Sequence, residues 1–185
     1  MFILEYIKNP KAIGAIAPSS SYLANKMVES INFKNAKCIV EYGPGTGVFT
    51  EKILSRISED TIVILIEINK NFYNKLNEVY GHKKNVIIIN DSAENIDIIL
   101  KKYSIKKVDY ILSGLPFTSL PNEVSRNILI KTSKIIENKS QFITFQYSIL
   151  KLKFFREYFN NINYKKVRKN LPPAFVFICK GGNHE

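Results

Sequence analysis

Three carboxylates, Glu41, Glu67 and Asp91, stand at or just beyond the ends of three successive apolar runs. The first lies in Val40-Glu41-Tyr42-Gly43-Pro44-Gly45-Thr46-Gly47, preceded by Cys38-Ile39-Val40 and followed by Val48-Phe49-Thr50-Glu51-Lys52-Ile53-Leu54. An apolar run, a glycine-rich turn and a run of helical period predict a strand, a turn and a helix start. Gly43, Gly45 and Gly47 alternate, so the backbone there can take positive φ and approach a small molecule without Cβ interference. A pyrophosphate seeks the N-terminus of such a helix, and Glu41 would repel it. The acid favours a ligand with a positive centre instead.

The second apolar run, Thr61-Ile62-Val63-Ile64-Leu65-Ile66, ends at Glu67. That is about twenty residues beyond the glycine turn, where an acid accepts hydrogen bonds from ribose hydroxyls. The third, Val86-Ile87-Ile88-Ile89, is flanked by Asn85 and Asn90 and leads into Asp91-Ser92-Ala93-Glu94. Acids after three successive strands suit a ligand that combines a positive centre, a ribose and an adenine amino group.

This arrangement resembles the class I S-adenosylmethionine-dependent methyltransferases, and the resemblance covers nearly the whole chain. It implies a Rossmann-like α/β fold with a seven-stranded, mostly parallel sheet and a final antiparallel hairpin. It also implies S-adenosyl-L-methionine as cofactor: the turn of Glu41, Gly43, Gly45 and Gly47 around the methionine part, Glu67 and Ile68 at the ribose, and Asp91, Ser92 and Ala93 at the adenine edge. Ser113 joins this set from the later segment Ser113-Gly114-Leu115-Pro116-Phe117.

The elements that must position these groups fit one domain. At 185 residues the chain can bury a full core but has no room for a second domain of ordinary size. Residues 1–30 read as a helical extension with a cofactor-covering loop, and residues 31–185 as the methyltransferase core. Cys38 and Cys179 lie in apolar, strand-like runs and read as buried free thiols, which fits a reducing cytoplasm. Metal-ligand spacing is absent, and no stretch approaches the ~20 apolar residues of a membrane span. With 27 basic against 16 acidic residues, the net charge of +11 favours an anionic partner, either nucleic acid or an anionic membrane face; a lysine-rich solvated surface is the plainer alternative.

Near the start, Phe2, Ile3, Tyr6 and Ile7 share one face of a short predicted helix, with Lys8 and Lys11 behind. That face suits either a membrane interface or the core. Asn9-Pro10 ends the helix, and Gly14-Ala15-Ile16-Ala17-Pro18-Ser19-Ser20 is a small-residue loop that can close over a cofactor. With Leu23-Ala24 and Met27, these segments resemble the N-terminal signature of bacterial phospholipid N-methyltransferases, which act on phosphatidylethanolamine. That resemblance implies a peripheral, cytoplasmic enzyme with a phospholipid substrate and membrane contact through its N-terminal helix.

Further along, Phe72, Leu76 and Val79 predict one helix face, and Ile96, Ile99 and Leu100 part of another. Val108-Asp109-Tyr110-Ile111-Leu112 is a fourth strand, and Ser113-Gly114-Leu115-Pro116-Phe117 follows at the carboxyl edge where open α/β sheets bind ligands. The ribosomal RNA adenine dimethyltransferases, which the chain also resembles in layout, carry an asparagine where this sequence has Gly114. That asparagine accepts from the adenine N6 amino group, so the alternative reading, an RNA adenine N6-methyltransferase, would need Ser113 to substitute. An alkyl amine needs only alignment with the methyl. The proton it sheds has four candidate acceptors: solvent, a loop carbonyl, Tyr147 or Glu41.

Pro116, Phe117 and Tyr147 are candidates to face the substrate, the aromatics by cation–π contact, with core packing the other reading of Phe117. Gln141-Phe142-Ile143-Thr144-Phe145-Gln146-Tyr147 is the fifth strand, and Tyr164 to Arg168 with Ala174 to Cys179 the final hairpin. Lys151, Lys153, Arg156, Lys165, Lys166, Arg168 and Lys169, interleaved with aromatics, suit a lipid headgroup layer or single-stranded nucleic acid. Arg156 and Arg168 are the candidates for a lipid phosphate, because guanidinium binds phosphate in a bidentate fork. His82 in a surface turn and His184 at the C-terminus are poor candidates for a base.

Overall fold

The computed structural model describes residues 21–137 and 139–181. Phe2, Ile3, Tyr6, Ile7, Lys8, Lys11, the 14–20 loop and His184 lie outside the described residues. Among the described residues no helix is long and apolar enough to cross a membrane.

Seven strands form one sheet: β1 (Cys38–Tyr42), β2 (Ile62–Ile66), β3 (Val86–Ile89), β4 (Tyr110–Ser113), β5 (Gln141–Gln146), β6 (Asn161–Val167) and β7 (Ala174–Lys180), in the order β3-β2-β1-β4-β5-β7-β6. The first five are mutually parallel, and β7 runs antiparallel to both β5 and β6. This is the seven-stranded, mostly parallel sheet with an antiparallel hairpin that the sequence implies.

Strands covered on both faces need apolar side chains on both, hence the unbroken Val63-Ile64-Leu65-Ile66 in β2. On one face, Val40, Tyr42, Ile64 and Phe142 pack under α4 (Ile96–Lys102), α5 (Asn122–Ile135) and α6 (Leu152–Phe155). On the other, Ile39, Val63, Leu65 and Ile143 pack under α1 (Ser21–Val28), α2 (Val48–Leu54) and α3 (Lys70–Tyr80). Leu23, Ala24, Met27 and Val28 of α1 are fully buried. Over its described part, the extension assigned to residues 1–30 is therefore built into the core.

Three details differ from the sequence expectation. Val79 is exposed and Phe72 half-buried, and Leu76 and Tyr80 are the residues of α3 that pack against the core. Strand β4 begins at Tyr110, and the Asp109 carboxylate just before it accepts from the Lys37 and Cys38 amides, at 2.7 and 3.1 Å. It extends to Ser113, which pairs with Tyr42 and Thr144, so Ser113 closes the strand and the loop begins at Gly114.

Candidate active site

Strands β1 and β4 are adjacent, but the chain leaves them toward opposite sides of the sheet, so their carboxyl ends open a crevice where ligands bind in such folds. The glycine turn leaves β1 with φ of 61° at Gly43, 55° at Gly45 and 85° at Gly47, left-handed values that disfavour a Cβ. The Gly43 amide donates to Ile66 O at 2.9 Å, tying the turn to the end of β2. On the other side, the Gly114 amide donates to Tyr42 O at 2.9 Å. The two loops touch: a Cβ on Gly114 would stand 2.7 Å from Gly43 O, and one on Gly43 would stand 2.8 Å from Leu115 Cδ2.

Beside this contact lies a shallow, open cleft. Gly43, Ile68, Asp91, Ser92 and Ala93, all candidates from the sequence, line it together with Ile66. The opposite wall is Leu115, Leu120, Val124 and Ile128, from the loop after β4 and from α5. Leu115 belongs to the 113–117 loop that the sequence places at the ligand edge, whereas Leu120, Val124 and Ile128 carry no ligand role in the sequence reading, and the topology brings them to the cleft. Ser92 caps the turn after β3 by accepting from the Glu94 amide at 3.2 Å. Asp91 accepts from the Ser92 amide and the Asn95 side chain, at 2.7 and 2.8 Å, both on Oδ1. The cleft is thus a mostly apolar slot with a carboxylate at one end.

The three acids do not converge. Only Asp91 lines the cleft. Glu67 is 4% exposed and braces the glycine turn: Oε2 accepts from the Gly45 amide at 2.9 Å and Oε1 from the Asn69 amide at 2.8 Å. Burial raises its pKa, and the Asn69, Gly45 and Ile68 amides oppose that rise. Glu41 is fully buried beneath the turn, where Oε2 accepts from the Thr50 hydroxyl at 2.7 Å and Oε1 has no partner among the described residues. Burial pushes its pKa up to about 8; the Thr50 hydroxyl bond opposes the rise and nearby Glu67 adds to it. Thr50, nine residues beyond Glu41, was not singled out in the sequence.

A family model for ribosomal RNA adenine dimethylase matches residues 19–170. The chain belongs to that family of class I methyltransferases. It is 30% identical over 183 residues to an ornithine lipid N-methyltransferase of Singulisphaera acidiphila, covering 98% of this chain and 95% of the relative. It is 34% identical over 118 residues to ribosomal RNA small subunit methyltransferase A of Persephonella marina, covering 64% of this chain and 41% of that relative, less than half its length. Among solved structures it is similar to a SAM-dependent O-methyltransferase from Thermotoga maritima (TM-score 0.66, 13% identity, 97% of this chain and 72% of that one). An rRNA methylase from Streptococcus thermophilus gives 0.62 at 16% identity, over 86% of this chain and 94% of that one. At those identities the structures establish the shared fold alone.

The methyltransferase takes its methyl group from S-adenosylmethionine. The cleft has the shape and chemistry for it: a turn where three glycines hold positive φ, apolar walls for a flat purine, and Asp91 and Ser92 to meet polar edges. No group of His, Cys, Asp and Glu suited to a metal occurs among the described residues.

The remaining candidates of the methyltransferase sit elsewhere. Ser113 is fully buried, and its hydroxyl accepts from the Leu115 amide at 3.2 Å, which shapes the loop from within. Pro116 is half-buried and its carbonyl accepts from Ser119 and Leu120, at 2.8 and 3.0 Å, starting the turn toward α5. Phe117 is 1% exposed and lies edge-on to Phe142 and Phe155, at 6.3 and 5.3 Å between centroids. The core-packing reading of Phe117 therefore stands, since no face is left for a substrate headgroup. Tyr147 is 37% exposed and packs edge-on to Phe145 at 5.6 Å, with its pKa raised by burial. Arg156 and Arg168 are exposed, and neither lines the cleft.

Proposed function

We propose that this protein transfers a methyl group from S-adenosylmethionine to the primary amine of phosphatidylethanolamine at a membrane surface. The observation that carries this reading is the backbone contact at Gly114. An adenine amino group needs a side-chain acceptor to draw its lone pair out of the ring, and position 114 has neither a side chain nor space for one, because a Cβ would meet Gly43 O at 2.7 Å. Ser113 does not replace it, being buried and bonded to Leu115. An alkyl amine carries a localised lone pair and needs alignment only. The activity of the relative that matches nearly end to end, an ornithine lipid N-methyltransferase, supports a lipid amine as substrate.

The bound cofactor would supply an electrophilic methyl on a sulfonium centre. The glycine turn would hold its methionine part, Glu67 would keep that turn in place from below and approach the ribose together with Ile68, and Asp91, Ser92 and Ala93 would meet the adenine. The neutral amine would enter over Gly114, where no side chain blocks its approach. Its proton goes to solvent: Glu41 is sealed beneath the turn, and Tyr147 is held protonated by partial burial. Arg156 and Arg168 would engage lipid phosphates outside the cleft, and the enzyme would work as a peripheral protein on the cytoplasmic membrane face.

A second reading, methylation of adenine N6 in ribosomal RNA, is favoured by the family model and by the ribosomal RNA relatives. Labelled methyl transfer from S-adenosylmethionine, offering phosphatidylethanolamine in anionic liposomes beside unmodified ribosomal RNA, separates the two. Label in lipid is the expected result. Label in RNA alone would overturn the lipid reading.

A further inference from the structure

Leu150 and Leu171 are 85% and 86% exposed, the highest values among the exposed large apolar side chains of the described residues. Leu150 sits on the one-turn 3-10 segment Ile149–Lys151 after β5, where Ser148 Oγ accepts from its amide at 3.2 Å. Leu171 sits in the connection between β6 and β7, which is held by Asn170 Nδ2 donating to Pro172 O at 2.7 Å. Gln146 at the end of β5 pairs with Phe175 near the start of β7, so the two segments leave adjoining strands at the same edge of the sheet. The glycine turn and the 113–117 loop occupy that edge too.

A single exposed leucine carries no information. Here the two share an unusual electrostatic setting. Residues 147–180 contain eight cations, among them Lys151, Lys153, Arg156, Arg168 and Lys169, and one acid, Glu157. Lys169 lies over the exposed ring of Tyr22, 5.2 Å from its centroid, and Lys151 over Phe154 at 5.0 Å. Apolar tips ringed by cations and aromatics suit a bilayer surface, where aliphatic groups enter the acyl boundary while ammonium groups remain among anionic headgroups. Single-stranded nucleic acid is held through base stacking on aromatic rings and through phosphate pairing, and an aliphatic tip supplies neither.

We propose that these two connections dock the protein on an anionic phospholipid bilayer, with Leu150 and Leu171 inserted at the acyl boundary. The partner named here deepens the lipid-amine reading and rests on it for the identity of the substrate. Strand β5 neighbours β4, so the 113–117 loop and the connection that carries Leu150 leave adjacent strands at the same end of the sheet.

The sequence contains no tryptophan, so Leu150→Trp and Leu171→Trp each introduce a sole indole reporter. With vesicles of phosphatidylglycerol and phosphatidylcholine, the emission of each should shift to the blue and be quenched by lipids brominated on the acyl chains; an unshifted, unquenched spectrum in both would overturn the proposal. The double variant Leu150→Ser/Leu171→Ser should partition onto the same vesicles about tenfold or more weakly, with its calorimetric affinity for S-adenosylmethionine unchanged. Equal partitioning of wild type and double variant would overturn the proposal, as would loss of affinity for a ribosomal RNA fragment without loss of vesicle binding. Methyl transfer to phosphatidylethanolamine dispersed in detergent is read separately. If the wild type methylates no lipid in either form, the substrate reading fails, while the indole signal still decides docking.

Discussion

Gly114 lies against the carbonyl of Gly43, so close that a Cβ at position 114 would stand 2.7 Å from that oxygen and 3.6 Å from Tyr42 O. Both obstacles are backbone atoms of the cofactor turn and cannot swing aside as a side-chain tip can. Gly114→Ala should force the two loops apart, destabilising the fold by about 1–3 kcal/mol and weakening S-adenosylmethionine binding in calorimetric titration. Gly114→Asn should do the same and should not confer methyl transfer to RNA. Wild-type affinity and melting in Gly114→Ala would show that the contact constrains nothing.

Gly43 and Gly45 separate two costs of a side chain in the turn. Both have φ near the left-handed region, 61° and 55°, but a Cβ on Gly45 meets nothing within 4 Å, whereas one on Gly43 meets Leu115 Cδ2 at 2.8 Å. Gly45→Ala should therefore cost about 1 kcal/mol, the backbone penalty alone, and Gly43→Ala that penalty plus the smaller cost of turning the Leu115 side chain aside. Adding Leu115→Ala to Gly43→Ala should recover part of the difference in urea melts. Equal losses in the two single variants would rule out the steric contribution.

Glu67 accepts from two amides, and one of them belongs to the cofactor turn. Glu67→Gln preserves shape but replaces one accepting oxygen with a donor, so one of those amides loses its partner at about 1–3 kcal/mol. Affinity for S-adenosylmethionine should fall in Glu67→Gln and further in Glu67→Ala. Unchanged affinity in calorimetry for both would remove Glu67 from the site altogether.

Glu41 makes stability depend on pH in a defined direction. Below its ordinary value near 4.5 the carboxyl is protonated whether the chain is folded or not; from there to about 8 the unfolded chain loses the proton while the folded protein keeps it. Stability should therefore decline as pH rises through that window, by several kcal/mol at most, on the order of 3–5, and level off above it. Urea unfolding of Glu41→Gln at pH 5 and pH 8 should show a much flatter profile, keeping only the contribution of Glu67, whose carboxyl is also raised. A wild-type slope in the variant would assign the dependence to other groups.

The sheet was legible because buried parallel strands must be apolar on both faces, and runs such as Val86-Ile87-Ile88-Ile89 have no other economical explanation. The glycine turn and the place of Asp91, Ser92 and Ala93 at the cleft were legible because each follows a strand end. The opposite wall of the cleft was not. Leu115 lies in the loop placed at the ligand edge, but Leu120, Val124 and Ile128 have the same side chains as core residues, and the placement of β4 beside β1 brings them to the cleft. Spacing suggested that Glu41, Glu67 and Asp91 act together; burial assigns them separate tasks, one sealed under the turn, one bracing it and one at the cleft. Phe117 misled in the opposite sense, an aromatic in a loop motif that points inward to complete a cluster with Phe142 and Phe155.

The strand order also constrains how the protein is made. Strand β7 is synthesised last of the seven yet lies between β5 and β6. Until residues 174–180 leave the ribosome, β5 is an open sheet edge whose backbone groups lack the partners that β7 supplies, and β6 has no strand to pair with. A nascent chain in that condition is a template for pairing with other chains. The hairpin therefore acts as a latch on biosynthesis, and a chain stalled before it would meet the quality-control machinery with a complete cofactor turn and an unfinished sheet.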